Sequence, residues 1–113
     1  MKIVRLNSFL CRLILICAAL QFAGAALARD PVAGRKTAGM CATCHGALGI
    51  SQLPNAPNLA GQPAIYTAEQ LKNYRSGRRT NEVMAVIAKP LSDQDIDDLA
   101  AWYASIEITV TTK

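Results

Sequence analysis

Five consecutive residues, Cys41-Ala42-Thr43-Cys44-His45, constrain this chain more than any other feature. Beyond residue 28 they hold every cysteine and the only histidine of a 113-residue protein. Residues three apart share one face of a helical turn. The two thiols therefore stand side by side, and the imidazole follows at once. The rest of the chain offers little else to fold around. Residues 29–113 carry four aromatic side chains, Tyr66, Tyr74, Trp102 and Tyr103. Three prolines (Pro54, Pro57, Pro63) and three glycines (Gly46, Gly49, Gly61) break any periodicity over 46–66. A domain of this size builds only a modest core unaided.

The first 28 residues read as a secretory signal peptide. Lys2 and Arg5 form a charged start, Leu13 to Leu20 is an unbroken apolar run, and Ala26-Leu27-Ala28 supplies small residues for cleavage near Ala28. An uncleaved anchor is the competing reading, but the run is interrupted by Gln21 and is shorter than the roughly 20 residues of a spanning helix. Cys11 and Cys17 follow Leu10 and Ile16, not the small residue of a lipidation site. Export places the mature chain, 29–113, in the periplasm, with no membrane insertion after cleavage. The leader also removes Lys2, Arg5 and Arg12 from the charge balance, leaving nine basic residues against eight acidic ones. So even a balance excludes electrostatic nucleic-acid binding.

The Cys-Cys-His motif has four readings. A thioredoxin-type redox pair needs a βαβ context, and no strand pattern appears. Structural zinc needs four ligands, and the mature chain has three. A plain disulfide leaves His45 without a role. The fourth reading is covalent haem attachment, for which CxxCH is the signature. Two thiols on one turn reach the two vinyl groups of a porphyrin, and the next residue aims its imidazole at the iron.

The remaining pattern is all-α. A first helix is expected over 32–41, with Gly34, Ala38 and Gly39 as a slim face for a neighbouring helix. A second is expected over 67–76, capped by Thr67 with Gln70 three residues on, and ended by Gly77. Asn81 caps a short helix over 82–88 that stops before Pro90. Ser92 caps the last, with acids in its first turns. There Ile96, Leu99, Ala100 and Tyr103 share a face that Ile106 extends. Trp102 and Tyr103 are expected to pack that helix on the first. The tail 108–113 has no partner strand.

These residues resemble class I c-type cytochromes, the small bacterial periplasmic monohaem kind, and also one half of the dihaem cytochromes. The resemblance covers about 31–107. It rests on Cys41-Ala-Thr-Cys44-His45-Gly46, Pro57-Asn-Leu-Ala-Gly61, Gln70-Leu-Lys-Asn-Tyr-Arg-Ser-Gly77, and Leu91-Ser-Asp followed by Leu99-Ala-Ala-Trp-Tyr103. It implies a few short helices wrapped around one haem c, held by two thioethers. Leu59, Ile65, Leu71, Ile87, Leu91 and Leu99 are expected to surround it.

His45 is then one iron ligand. For the second, no other histidine exists, Met1 leaves with the leader, and Met40 adjoins Cys41. Met84 remains. Read alone it is a core residue beside Val83, Val86 and Ile87. The resemblance implies the ligand, with Lys89 as a substitute. It also implies that the Pro57 carbonyl accepts the His45 ring N–H. Tyr66, Arg75 and Gln62 are candidates to hold the haem propionates, although Arg75 with Arg78 and Arg79 also reads as a solvated cationic face.

The function implied is one-electron transfer rather than catalysis. The expected protein is a monomer that docks transiently with redox proteins: dehydrogenases, oxidases or membrane cytochrome complexes. Ala42, Ala47, Leu48 and Ile50 would permit close approach at the haem edge. One alternative is the haem-carrying subunit of a periplasmic dehydrogenase complex. Another is a haem sensor or peroxidatic protein, which needs an open sixth position.

Overall fold

The structure is a computed structural model, and it describes residues 29–112. The leader expected over 1–28 lies outside the described residues. Among them there is no strand, and no helix is long and apolar enough to cross a membrane.

The chain enters at Asp30, whose side chain accepts the Val32 N–H at 2.8 Å and so caps α1, Pro31–Thr37. Pro31 suits that start because its missing N–H has no partner there anyway. The helix then tightens into a 3-10 turn, Ala38–Met40, and a four-residue α turn, α2, Ala42–His45. The expected helix over 32–41 is thus split, and the motif occupies its own turn. Gly46 ends that turn with φ +81°, where a Cβ would stand 2.0 Å from the Ile50 carbonyl oxygen. Only glycine closes the chain so tightly.

A loop leads to α3, Ala64–Ser76. This helix starts three residues before the expected Thr67. Thr67 is not its cap: it is buried inside the first turns, and its N–H bonds the Pro63 carbonyl at 3.0 Å. Gly77 ends α3 as expected, with φ +79°. Asn81 caps α4, Glu82–Ala88, through its side chain and the Met84 N–H. Ser92 caps α5, Asp93–Ala104, in a reciprocal box with Asp95.

α5 is the centre of the arrangement, with α1 and α3 both against it and α4 against α3. Gly34 of α1 meets the backbone of Asp98 of α5. Gly39 does not share this slim face, since nothing lies within 4 Å of its Cβ position. The buried core is Ala38, Ala88, Leu91, Ile96, Leu99 and Tyr103, with Leu59, Leu71, Tyr74 and Trp102 packed against it. Trp102 lies beside α1 as expected, with the Arg35 guanidinium 5.4 Å from its ring centre. Tyr103 instead reaches the loop side, against Gly49. The segment after Ser105 has no regular structure, and Ile108 lies over Gly61.

Candidate haem site

The α2 turn presents both thiols and the imidazole together. The N–H groups of Cys44 and His45 both point back to the Cys41 carbonyl, at 3.3 and 2.9 Å. Cys41 and Cys44 are not bonded to each other, and each is half-buried. Burial pushes the Cys41 thiol above its ordinary value, and the Tyr103 hydroxyl bonded to it offsets this in part. Tyr103 is likewise raised, first by burial and then by Cys41. The motif therefore faces an interior of low polarity.

His45 is 7% exposed. Its Nδ1 lies 2.8 Å from the Pro57 carbonyl oxygen. A carbonyl only accepts, so Nδ1 carries the proton and Nε2 keeps its lone pair.

Beside the motif is a cavity of about 670 Å³. Cys41, Cys44, His45 and Pro57 line it from the motif and its loop, and Leu59, Leu71, Ile87, Leu99 and Tyr103 give it apolar walls. Met84 lines it from α4, where the Asn81 cap fixes the Met84 N–H at 2.9 Å. Met40 also lines it, one residue before Cys41 and 45% exposed. Lys89 is exposed and outside it.

Of the apolar residues expected around the group, Leu91 is buried in the core instead, and Ile65 is 76% exposed on the outer side of α3. Tyr66 and Gln62 line the cavity. Arg75 does not. Its guanidinium donates to the Leu91 carbonyl at 2.8 Å and pairs with Asp93 at the start of α5. That end of α5 offers both an acceptor and a carboxylate, so Arg75 ties two helices together. The arginine at the cavity is Arg79, a residue that by sequence belongs to a cationic face with Arg75 and Arg78. After Gly77 the chain turns back along α3. The Arg79 N–H bonds the Asn73 carbonyl, and its guanidinium sits 4.7 Å from the Tyr74 ring centre and 2.7 Å from Gln70 Oε1. The left-handed glycine two residues earlier was the signal that could have found it.

Thiols on one turn, a buried imidazole with a free Nε2, a thioether in the same cavity and apolar walls fit a covalently held haem. The cytochrome c family pattern matches residues 31–107.

The chain belongs to the cytochrome c family. Cytochrome c4 of Pseudomonas aeruginosa is 43% identical over 83 residues, which are 74% of this chain and 41% of that protein. A protein of Thiomonas intermedia named thiosulfate dehydrogenase electron acceptor is 43% identical over 72 residues, 62% of this chain and 33% of that protein. The solved structure of reduced cytochrome c4 from Pseudomonas stutzeri superposes with a TM-score of 0.68 at 37% identity, covering 74% of this chain and 48% of that one. The chain thus spans less than half the length of these relatives. As a cytochrome c it carries haem c, bound covalently through the CxxCH motif, Cys41 to His45. Its relatives are electron-transfer cytochromes, and its all-α fold is theirs.

Proposed function

We propose that this cytochrome c is a periplasmic one-electron carrier, taking electrons from a dehydrogenase and passing them to an oxidase or another cytochrome. One observation carries the reading: two thiols, an oriented imidazole and a thioether from a separate helix line one cavity. Haem c supplies a one-electron couple at its iron. Cys41 and Cys44 would hold the group, and His45 Nε2 and Met84 would ligate the iron. Ligation by both would leave the iron no place for a substrate, which supports electron transfer rather than catalysis. Methionine ligation and burial favour the reduced state and raise the potential. Leu71, Ile87 and Leu99 keep water from the cavity walls. Tyr66, Gln62 and Arg79, which line the cavity, would hold the propionates.

The name of the Thiomonas intermedia relative supports a dehydrogenase as donor. Leu48, Ile50 and Leu53, each more than 40% exposed, form an apolar surface on the loop that follows the motif. Encounters there are small and transient. The composition of the leader supports export to the periplasm, followed by cleavage near Ala28.

The same surface also suits a permanent interface, which would make the chain the haem-carrying subunit of a dehydrogenase complex. Native electrophoresis of a periplasmic extract, stained for haem, separates the two. The carrier reading expects a band at the size of the single chain. A haem band only within a larger dehydrogenase assembly overturns it.

A further inference from the structure

The His45 ring is fixed by a carbonyl, and that carbonyl belongs to a loop. What holds the loop is visible. Ser51 donates its backbone N–H to Asn58 Oδ1 at 2.8 Å. Its hydroxyl lies 2.8 Å from the Cys44 carbonyl oxygen and 3.2 Å from that of Leu53. The single hydroxyl proton goes to the nearer one, and Ser51 Oγ accepts the Leu53 N–H at 3.0 Å. Alongside, the Gly49 carbonyl accepts the N–H groups of Leu59 and Ala60, at 2.8 and 3.1 Å. Residues 52–57 are therefore a closed excursion, and Pro57 sits where it closes.

Two peptide planes matter for the imidazole. One is Pro57–Asn58, whose oxygen accepts the Nδ1 proton. The other is Cys44–His45, which carries the ring. Ser51 is tied to both, by its N–H through the Asn58 side chain and by its hydroxyl directly. Ser51 lies outside the cavity, whereas Asn58 is part of its lining. The hydrogen bonds of both reach the ring through the two peptides.

We propose that Ser51 and Asn58 are positioning residues that set the orientation of the His45 ring, and with it the basicity of the iron ligand. The proposal rests on His45 being that ligand. A firm bond from Nδ1–H to a carbonyl makes the imidazole more electron-rich and favours the oxidised iron. Loosening the Pro57 carbonyl weakens that push, so the midpoint potential rises and the Nδ1 proton becomes more labile.

The test uses the holoprotein and four variants: Asn58→Ala, Asn58→Asp, Ser51→Ala and Ser51→Thr. Two quantities are read, the midpoint potential by optical titration and the exchange rate of the His45 Nδ1 proton by NMR of the reduced protein. Asn58→Ala is expected to raise the potential and to speed exchange on the order of tenfold, the scale of losing one hydrogen bond. Ser51→Ala is expected to shift both in the same directions. Ser51→Thr keeps a hydroxyl and stays near both parent values; Asn58→Asp keeps the acceptor, so its proton exchange stays near the parent rate while its added negative charge at the cavity lowers the potential. A lowered melting temperature for Asn58→Ala with an unchanged potential and an unchanged proton would make the pair mere loop staples and overturn the proposal. So would Asn58→Asp exchanging the Nδ1 proton as fast as Asn58→Ala. The same spectra report the ligand: ring protons of an iron-bound imidazole are strongly shifted by the porphyrin ring current. Unshifted His45 protons in the parent would remove the ligand reading itself, whereas the other adverse outcomes leave it standing.

Discussion

Gly34 and Asp98 bring two helices into backbone contact: a Cβ on Gly34 would stand 2.0 Å from the Asp98 carbonyl oxygen. Asp98 reinforces the junction, because its buried carboxylate accepts the Asp30 N–H at 2.7 Å, at the cap of α1. The start of the fold is thereby locked to its last helix, and the motif follows directly from that lock.

Gly34→Ala should therefore destabilise the holoprotein by about 1–3 kcal/mol, since the clash is with backbone and not with a side chain that can move. Gly39→Ala is the control, with open space around its Cβ position, and should unfold at or slightly above the parent temperature. Thermal unfolding followed by circular dichroism checks both.

Arg79 and Arg75 should separate cleanly. Arg79 lines the cavity, and its positive charge favours the reduced state of a haem there. Arg79→Gln should lower the midpoint potential. Arg75 bonds Leu91 and Asp93 away from the cavity. Arg75→Gln should leave the potential near the parent value and cost about 1 kcal/mol from the lost Leu91 bond. Redox titration and denaturant unfolding of the same two samples decide it.

The start of α5 should be sensitive to acid. The Ser92 hydroxyl and N–H hold the Asp95 carboxyl below its ordinary value of 3.8, and Arg75 does the same for Asp93. Each is a carboxylate favoured in the folded state. Its contribution is present above the ordinary value and fades as pH falls through the lower, folded one. Denaturant unfolding should show stability constant near neutrality and declining below about pH 4. Ser92→Ala should cost about 1 kcal/mol at pH 7 by loss of the cap, without moving the haem spectrum.

Much of this is legible in the sequence. The motif named the cofactor because so few other groups compete for it. Asn81, Ser92 and Gly77 marked helix ends because capping is local chemistry that three or four residues specify. The face of Ile96, Leu99 and Tyr103 followed from helical period. The start of α3 is not legible there, because Thr67 offers a cap and a glutamine in register, while the cavity wall gives that threonine a buried place inside the helix instead. Ile65, near that start, turns outward for the same reason. Arg75 and Arg79 were inseparable by sequence, since their partners, Leu91 and Asp93 for one and Tyr74 and Gln70 for the other, are set by tertiary packing and by the turn at Gly77.

Met84→Ala should open the sixth position. The near-infrared sulfur-to-iron charge-transfer band of the oxidised protein should disappear, and the potential should fall. Met40→Ala, at the exposed edge of the same cavity, should leave both in place.

The central claim, a closed iron site that only carries electrons, is tested most directly by one optical redox titration of the purified parent holoprotein under argon and again under carbon monoxide. With His45 and Met84 both bound, the account predicts a single reversible one-electron transition whose midpoint is the same under the two gases. A midpoint raised by carbon monoxide, with the spectrum of a carbon monoxide adduct, would show an open sixth position and contradict it.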